Sequence, residues 1–165
     1  MTQVYISIGS NIDREKYIVA GLKALEQTFG DLTASSIYES EPVGFSGDAF
    51  YNLVVGFDTE FDVFTVAQKL REIEVANGRL ADSKKFSARK LDLDLILFGN
   101  LIVNEGSLQL PRTDILCYAF VLEPLAEIAP MLKHPVLNLS YAELWQEMSL
   151  KKVSQRRINK PLQST

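Results

Sequence analysis

Two aspartates inside an apolar run are the residues whose types and spacing most suggest chemistry. Asp92 and Asp94 stand in the segment RKLDLDLILFGN (89–100), which predicts a buried strand that ends at the turn-prone Gly99-Asn100. Side chains alternate across a strand, so both carboxylates point to the same face. Two like charges at the edge of a core are costly unless a cation pairs with them. The sequence therefore predicts a cation at this place.

A basic segment precedes this strand and could supply that charge or share a ligand with it. Arg79 follows a predicted helix, and further basic residues come within ten positions of it, namely Lys84, Lys85 and Arg89. An acidic pair beside a basic loop suits a polyphosphate held by Mg²⁺, because carboxylates bind the metal and basic side chains bind phosphate oxygens. The alternative is a salt bridge on the strand surface between the aspartates and Arg79 or Arg89. Asp-x-Asp alone is a weak motif, so both interpretations stay open on spacing.

The elements that must position these residues alternate in a simple order. Strand patterns lie at 3–9, 32–40, 50–57 and 91–98. Between them, Asp13 and Asp62 are N-cap residue types for two helices, the second of which ends at Asn77-Gly78. The order β-α-β-β-α-β predicts an α+β fold, namely the split βαβ of a ferredoxin-like sandwich, in which helices pack on an antiparallel sheet.

Further elements are predicted after this core. Residues 108–110 favour a short strand, and residues 118–128 favour a helix interrupted by Pro124. Ser140 and Glu143 have the spacing of a capping box that opens a last helix. We therefore expect extra C-terminal helices beyond the βαββαβ core.

Length and charge narrow the class of protein. The chain of 165 residues fits a single domain, expected over residues 1–150, followed by a basic tail over residues 151–165 with five Lys and Arg and no acid. The net charge is −4 for the whole chain, so the domain alone carries −9. This acidic domain argues against broad nucleic-acid binding. We expect the tail to be flexible.

Composition also bears on compartment and partners. No apolar run approaches the roughly 20 residues that cross a bilayer, and no basic stretch precedes an apolar one near the amino terminus as in a signal peptide. One cysteine excludes an internal disulfide and fits a reducing compartment. The sequence thus predicts a cytoplasmic protein with no membrane contact, and a monomer. The one histidine, His134, cannot build a His-rich zinc site and is expected at the surface or in a loop.

Several motifs run in order, with matching gaps, through nearly the whole chain. They are IGSN (8–11), YESEPVG (38–44), FYN (50–52), IEVANGR (73–79), RKLDLDLILFGN (89–100) and FVLEPLAEIAP (120–130). In these motifs the chain resembles the 6-hydroxymethyl-7,8-dihydropterin pyrophosphokinases. Enzymes of that family move a pyrophosphoryl group from ATP to a pterin alcohol in the folate pathway.

The resemblance implies roles for residues on the metal and phosphate side. Asp92 and Asp94 match a pair that binds two Mg²⁺ ions bridging the ATP phosphates and the pterin hydroxymethyl group. Arg79 and Arg89 match arginines of a catalytic loop that close over the phosphates. The further residues expected on the nucleotide side are Glu74, Lys84 and Arg112.

On the pterin side, the resemblance implies an aromatic slot with a polar edge. Phe50 and Phe120 match the pair that sandwiches the ring, and Asn52 matches the amide that hydrogen-bonds its edge. Ser40 and Val43 stand where the family contacts the pterin through a small hydroxyl and main-chain groups. Without the resemblance, both phenylalanines would be assigned to the core and Asn52 to a polar strand edge.

Departures from the family pattern fall on the nucleotide side. Arg112 stands where histidine is usual, Tyr118 where arginine is usual, and Ala81 and Arg71 where a loop arginine and a glutamine are common. The leading hypothesis is a Mg²⁺-dependent pyrophosphokinase with ATP as co-substrate. The alternative is a divergent paralogue that binds a pterin or another acceptor with weakened or lost ATP-dependent activity. An interaction module without a small ligand would leave the aspartates unexplained.

Overall fold

A computed structural model describes residues 1–42, 47–78, 90–151 and 155–158. The helices are α1 (Arg14–Phe29), α2 (Val63–Ala76), α3 (Asp114–Cys117), α4 (Ala119–Ile128) and α5 (Tyr141–Met148). The strands are β1 (Thr2–Ser10), β2 (Thr33–Ala34), β3 (Ile37–Ser40), β4 (Phe50–Thr59), β5 (Asp92–Phe98), β6 (Val103–Glu105), β7 (Leu108–Leu110) and β8 (Gln155–Ile158).

The central sheet is antiparallel, with the strand order β5-β1-β4-β3-β8 and the short β2 beside β4. Strands β6 and β7 form a separate hairpin. The longest pairing joins β1 to β4, from Thr2 opposite Thr59 to Ser10 opposite Tyr51. This confirms the predicted antiparallel sheet with packed helices.

Both faces of the sheet are covered, because successive side chains of each strand point to opposite faces. Helices α1 and α2 cover one face, where the buried strand residues are Val4, Ile6, Ile8, Leu53, Val55, Phe57, Leu93 and Leu95. Helix α4 covers the other face, with α5 packed beside it, over Tyr5, Val54, Ile96 and Leu97. In the described part of the chain, no helix is both long and apolar enough to span a bilayer.

A bulge in β5 interrupts the alternation of its side chains. Tyr5 pairs with Leu97 while Ile6 pairs with Leu95, so Ile96 has no partner residue on β1. A bulge places two successive side chains on similar faces, and both Ile96 and Leu97 pack under α4. Before the bulge the alternation is regular, which leaves Asp92 and Asp94 on the α4 face.

Helix starts follow their predicted caps with one difference. Asp62 accepts a hydrogen bond from Thr65 N at 2.8 Å, and Ser140 and Glu143 form the full capping box of α5. Asp13 occupies the N-cap position of α1, but it adopts a left-handed conformation with φ 46° and its side chain makes no capping hydrogen bond.

Two predicted elements differ in detail. The strand expected over 32–40 is broken, because the Oγ of Ser35 accepts from Val54 N at 2.9 Å in place of a main-chain carbonyl. The interruption expected at Pro124 is wrong, since α4 continues through it to Ile128. Pro124 is buried, so packing of this apolar helix against the sheet offsets the one main-chain hydrogen bond that proline cannot donate.

Part of the predicted basic tail is a strand. Gln155–Ile158 form β8, which pairs with β3 from Ile37 opposite Ile158 to Ser40 opposite Gln155. The other residues that follow Lys151 lie outside the described residues.

His134 lies in a loop, one of the two positions expected for it, and it is buried there. Its side chain is 4% exposed, and Nδ1 accepts hydrogen bonds from Val136 N and Leu137 N, each at 3.2 Å. Burial lowers the pKa of His134, so the ring is neutral. The imidazole therefore satisfies two main-chain donors of the turn that leads to α5.

Candidate active site

A row of paired residues crosses four strands on the α4 side of the sheet. Gly9 of β1 pairs with Asp92 on one side and with Asn52 on the other, and Asn52 pairs in turn with Tyr38. Neighbouring strands lie about 4.8 Å apart, so Asp92 and Asn52 are separated by roughly 10 Å of backbone. A carboxylate and an amide thus flank a position with no side chain.

The absence of a side chain at Gly9 keeps this position open. A Cβ atom there would lie 3.0 Å from Asn52 Oδ1 and 3.7 Å from Phe50 Cδ1. Asn52 Nδ2 donates to Ser40 Oγ at 2.8 Å, and both side chains are buried. This hydrogen bond holds the Asn52 amide with its Oδ1 toward Gly9. We call the side chains of Ser40 and Asn52 the polar floor of the site.

The two aspartates form an acidic pair on the same face, as predicted from their spacing. Asp92 pairs with Gly9 and Asp94 with Ser7, and both are half-buried. Burial, reinforced by the Asp92 carboxylate, raises the pKa of Asp94 well above its ordinary value, against the opposing effect of Arg112. The pair therefore favours binding of further positive charge.

Glu74 reaches this strand from α2. Its side chain is 5% exposed, and Oε2 accepts a hydrogen bond from Leu93 N at 2.8 Å. Leu93 stands between the two aspartates, on the edge strand of the sheet. Glu74 thus fixes the strand at the acidic pair, and its expected contact with the nucleotide stays a prediction.

Arg112 supplies positive charge at the pair. Its main-chain N donates to Ile96 O at 3.0 Å, and its Nη2 lies 3.8 Å from Asp94 Oδ1. Nε lies 3.5 Å from Asp114 Oδ2, and the side chain is 21% exposed. Of the two salt-bridge partners considered from the sequence, Arg79 and Arg89, neither is among the described residues.

Asp114 is a residue that sequence reasoning missed. It is buried at the first turn of α3 and contributes to the negative charge around Arg112 and Asp94. Two features of the sequence could have predicted it. Asp114 stands two positions after Arg112 and can contact the same guanidinium, and a carboxylate is favoured at a helix start.

An aromatic pair stands at the start of α4. The rings of Tyr118 and Phe120 stack with centroids 4.9 Å apart and an interplanar angle of 15°. Phe120 is half-buried, and Tyr118 covers one of its faces. Phe50, also half-buried, begins β4 two residues before Asn52, so its side chain points to the same face of the sheet. The stacking role of Tyr118 was not predicted.

The chain that leads into Phe50 is held by the start of α1. Asn11 Nδ2 donates to Asp48 O at 3.1 Å, and Arg14 Nη1 donates to Ala49 O at 3.0 Å. The Arg14 guanidinium also lies 3.9 Å from the centre of the Tyr51 ring. The IGSN motif and the residues that follow it therefore position the beginning of β4.

Four residues assigned to the site from the sequence lie outside the described residues. They are Val43, Arg79, Lys84 and Arg89. Their expected roles stay predictions.

The donor set at the aspartates fits a magnesium ion shared with a phosphate. In the described ranges, no group of three or more His, Cys, Asp or Glu side chains could hold a metal. Mg²⁺ keeps several waters and is usually held by one or two carboxylates together with substrate phosphates. Asp92 and Asp94 meet that requirement, and the pKa of Asp94 is raised first by burial and then by the Asp92 carboxylate, so a cation bound here would stabilise both carboxylates in their charged form.

A comparison with protein families agrees with this geometry. The family model described as 7,8-dihydro-6-hydroxymethylpterin-pyrophosphokinase (HPPK) matches residues 5–130. The chain belongs to the HPPK family. The matched range contains the whole row from Asp92 to Tyr38, the aromatic pair and Arg112.

Sequence relatives include separate HPPK enzymes and longer proteins. The 2-amino-4-hydroxy-6-hydroxymethyldihydropteridine pyrophosphokinase of Haemophilus influenzae is 35% identical over 139 residues, which cover 82% of this chain and 86% of that protein. The folic acid synthesis protein fol1 of Pneumocystis carinii is 36% identical over 148 residues, or 88% of this chain. This chain spans only 20% of the fol1 length.

Solved structures share the fold of this HPPK family member. The Plasmodium falciparum HPPK-DHPS crystallised with pterin and p-hydroxybenzoate superposes with a TM-score of 0.76 at 14% identity. The superposition covers 94% of this chain and 46% of that one.

Proposed function

We propose that this protein transfers the pyrophosphoryl group of ATP to 6-hydroxymethyl-7,8-dihydropterin, giving AMP and the pterin diphosphate, a step of folate biosynthesis. The observation that carries the proposal is the row in which Gly9 separates Asp92 from Asn52. It brings an acidic pair suited to metal and phosphate next to a fixed amide suited to a ring edge. Membership of the HPPK family supports the same conclusion.

The pterin would bind on the Asn52 side. The Asn52 amide, held by Ser40, can both donate to and accept from the ring edge. Main-chain groups at Val43, which lies outside the described residues, would add further contacts in our proposal. Phe50 and Phe120 would stack on the two faces of the ring. Tyr118 stacks on Phe120, so it would help to fix the orientation of that phenyl ring.

ATP would bind on the aspartate side. Asp92 and Asp94 would hold Mg²⁺, two ions in our proposal, and the metal would neutralise phosphate charge and orient the β-phosphorus. Arg112 already lies beside Asp94 and can hold phosphate oxygens through its planar guanidinium. The remaining proposed nucleotide residues are Glu74, Arg79, Lys84 and Arg89.

The reaction needs alignment more than covalent help. The pterin hydroxymethyl oxygen attacks the β-phosphorus and forms a new O–P bond, while the bond breaks between the β-phosphorus and the oxygen that joins it to the α-phosphorus. AMP leaves with that bridging oxygen, and the proton of the hydroxymethyl group passes to solvent water. Asn52 and the aromatic slot orient the nucleophile, while the acidic pair and Arg112 orient the phosphates.

The finer features of fold and assembly are also proposals. The strand order β5-β1-β4-β3 supports a ferredoxin-like βαββαβ core. We propose a monomer with small-molecule substrates and no nucleic-acid partner, in the cytoplasm. A single domain over residues 1–150 fits the shared core.

The proposal is tested by measuring AMP release with each component omitted in turn. AMP formation should require ATP, the pterin alcohol and Mg²⁺ together. Asp92→Asn and Asp94→Asn should abolish it while the fold is kept, whereas Asp58→Asn, an exposed carboxylate on β4, should leave it unchanged. Nucleotide cleavage that is independent of the pterin would overturn the proposal.

A further inference from the structure

Strand β8 lies beyond the part of the chain that the family model matches, which ends at residue 130. It adds a strand to the edge of the sheet beside β3, with Gln155 opposite Ser40. Ser40 in turn accepts the hydrogen bond that fixes Asn52. Strand β8 therefore begins next to Ser40 and Asn52, the polar residues of the site.

Gln155 connects this edge to the start of α4. Its Nε2 donates to Ala119 O at 3.0 Å and to Glu123 Oε1 at 2.8 Å. Ala119 is the first residue of α4, immediately before Phe120, and the N-cap residue Tyr118 makes no side-chain capping bond. One amide group thus contacts the first turn of the helix that carries the aromatic pair.

The far end of α4 has its own connection to β3. Glu127 accepts from Ser36 N at 2.9 Å and from Tyr38 Oη at 2.6 Å. Arg157 of β8 donates to the same tyrosine oxygen at 3.1 Å. With Gln155 at one end and Glu127 at the other, α4 is fixed to this edge of the sheet along its length.

We propose that Gln155 is a positioning residue for the pterin slot, which sets the distance of Phe120 from the floor made by Ser40 and Asn52. The inference rests on the proposed function. A flat ring stacks well only in a slot of fixed width, and small displacements of a positioning group have large effects. Gln155 contacts the start of α4, which carries Phe120, and it lies opposite Ser40. Its replacement should therefore weaken pterin binding and leave ATP binding unchanged.

The experiment compares three variants with the wild-type protein. Gln155→Met keeps the side-chain length but removes the donor, and Gln155→Lys restores a donor toward Ala119 O and Glu123. Arg156→Gln on the same strand is the matched control, since Arg156 bonds Glu39 and is 74% exposed. The measurements are KM for the pterin, KM for ATP, calorimetric pterin affinity, thermal unfolding and amide exchange over residues 119–123.

Gln155→Met should raise the pterin KM and Kd roughly three- to tenfold, a change that corresponds to the net contribution of one typical hydrogen bond. KM for ATP should stay unchanged, and amide exchange in the first turn of α4 should accelerate. Gln155→Lys should restore the pterin affinity and the slow exchange.

An equal loss of affinity for the pterin and for ATP, or no loss of pterin affinity, would overturn the inference. If the wild-type protein neither binds the pterin nor releases AMP, the proposed function fails. In that case the amide exchange of residues 119–123 alone tests whether Gln155 positions α4. An unchanged exchange rate in Gln155→Met would overturn the positioning role.

Discussion

Arg112 forms an ion pair with Asp94, with Nη2 3.8 Å from Oδ1, at a position where the resemblance to the family implies a histidine. The same guanidinium lies 3.5 Å from Asp114. An arginine is always charged, whereas a histidine is charged only in part near neutral pH. Arg112 therefore places a permanent cation beside the acidic pair, and two carboxylates already orient it.

Replacement of Arg112 should weaken nucleotide binding selectively. Arg112→Ala removes a donor of charge-assisted hydrogen bonds, so MgATP affinity should fall by about 1.5–3 kcal/mol. Pterin affinity should be nearly unchanged, because Asn52 and the aromatic slot do not depend on this guanidinium. Calorimetry with a non-hydrolysable ATP analogue measures the change. Lys133→Ala, which removes an exposed positive charge in another loop, is the control.

Arg112→His tests whether the permanent charge of the guanidinium or only its ability to donate hydrogen bonds is needed at this position. A histidine that only donates hydrogen bonds should retain part of the affinity. Unchanged MgATP affinity in both the alanine and histidine variants would contradict a phosphate contact at Arg112.

Replacement of Glu74 tests whether it fixes the strand that carries the aspartates. Glu74→Ala leaves Leu93 N without its side-chain acceptor, so the free energy of unfolding should fall by about 1–3 kcal/mol. Glu74→Gln keeps an acceptor oxygen and should lose much less. Urea unfolding compares the two variants. Equal stability of Glu74→Ala and the wild type would contradict the positioning role, while a loss of MgATP affinity in the stable Glu74→Gln would support the predicted nucleotide contact.

Local chemistry explains which elements are predictable from the sequence. Asp62 and the Ser140–Glu143 pair cap their helices through residues three positions away, so the signal lies within a few residues. Strand β8 carries no such signal. Its polar side chains are held by Tyr38, Glu39 and α4, which are distant in sequence. A basic segment with distant partners has the same composition as a solvated tail.

The same distinction applies to the site. Alternation along one strand is enough to place Asp92 and Asp94 on one face, because it depends only on the pleat. The approach of Arg112 to Asp94 depends on how the segment after β7 returns to the strand, which no local pattern encodes. The stacking of Tyr118 on Phe120 likewise depends on the extended conformation of Tyr118, with φ −125° and ψ 125°.

His134 should make stability pH-dependent. Burial lowers its folded-state pKa below the ordinary value of 6.5, so its contribution is complete above that pH. As the pH falls, the unfolded chain takes up the proton first and the folded state loses stability. Protonation would also remove the acceptor for Val136 N and Leu137 N. Urea unfolding of the wild type and His134→Asn between about pH 8 and about pH 5 isolates the imidazole from the carboxylates.

The difference in stability between these two proteins should shrink as the solution becomes acidic. The chain has one histidine, so its NMR titration can be followed without assignment of other rings. A constant difference over the whole range, or a ring that titrates at or above its ordinary pKa, would contradict a buried neutral imidazole.

A side chain at Gly9 should damage the pterin side of the site. In Gly9→Ala the new Cβ would lie 3.0 Å from Asn52 Oδ1, so the amide must move from the position that Ser40 fixes. Pterin affinity should fall about tenfold, in line with the cost of a displaced hydrogen-bonding group. The double variant Gly9→Ala with Asn52→Ala should bind no worse than Asn52→Ala alone, because both changes act on the same contact. If calorimetry showed that the two losses of pterin affinity add in the double variant, the effect of Gly9→Ala would not act through Asn52.

The chemical identity of the products distinguishes transfer of a pyrophosphoryl group from transfer of a single phosphoryl group. The protein is incubated with ATP, Mg²⁺ and the pterin alcohol, and the products are followed by phosphorus NMR. We expect equal amounts of AMP and of a pterin that carries two linked phosphorus atoms. ADP with a singly phosphorylated pterin would contradict the proposed function, because the attack would then be on the γ-phosphorus. Tight pterin binding without any turnover would contradict it as well.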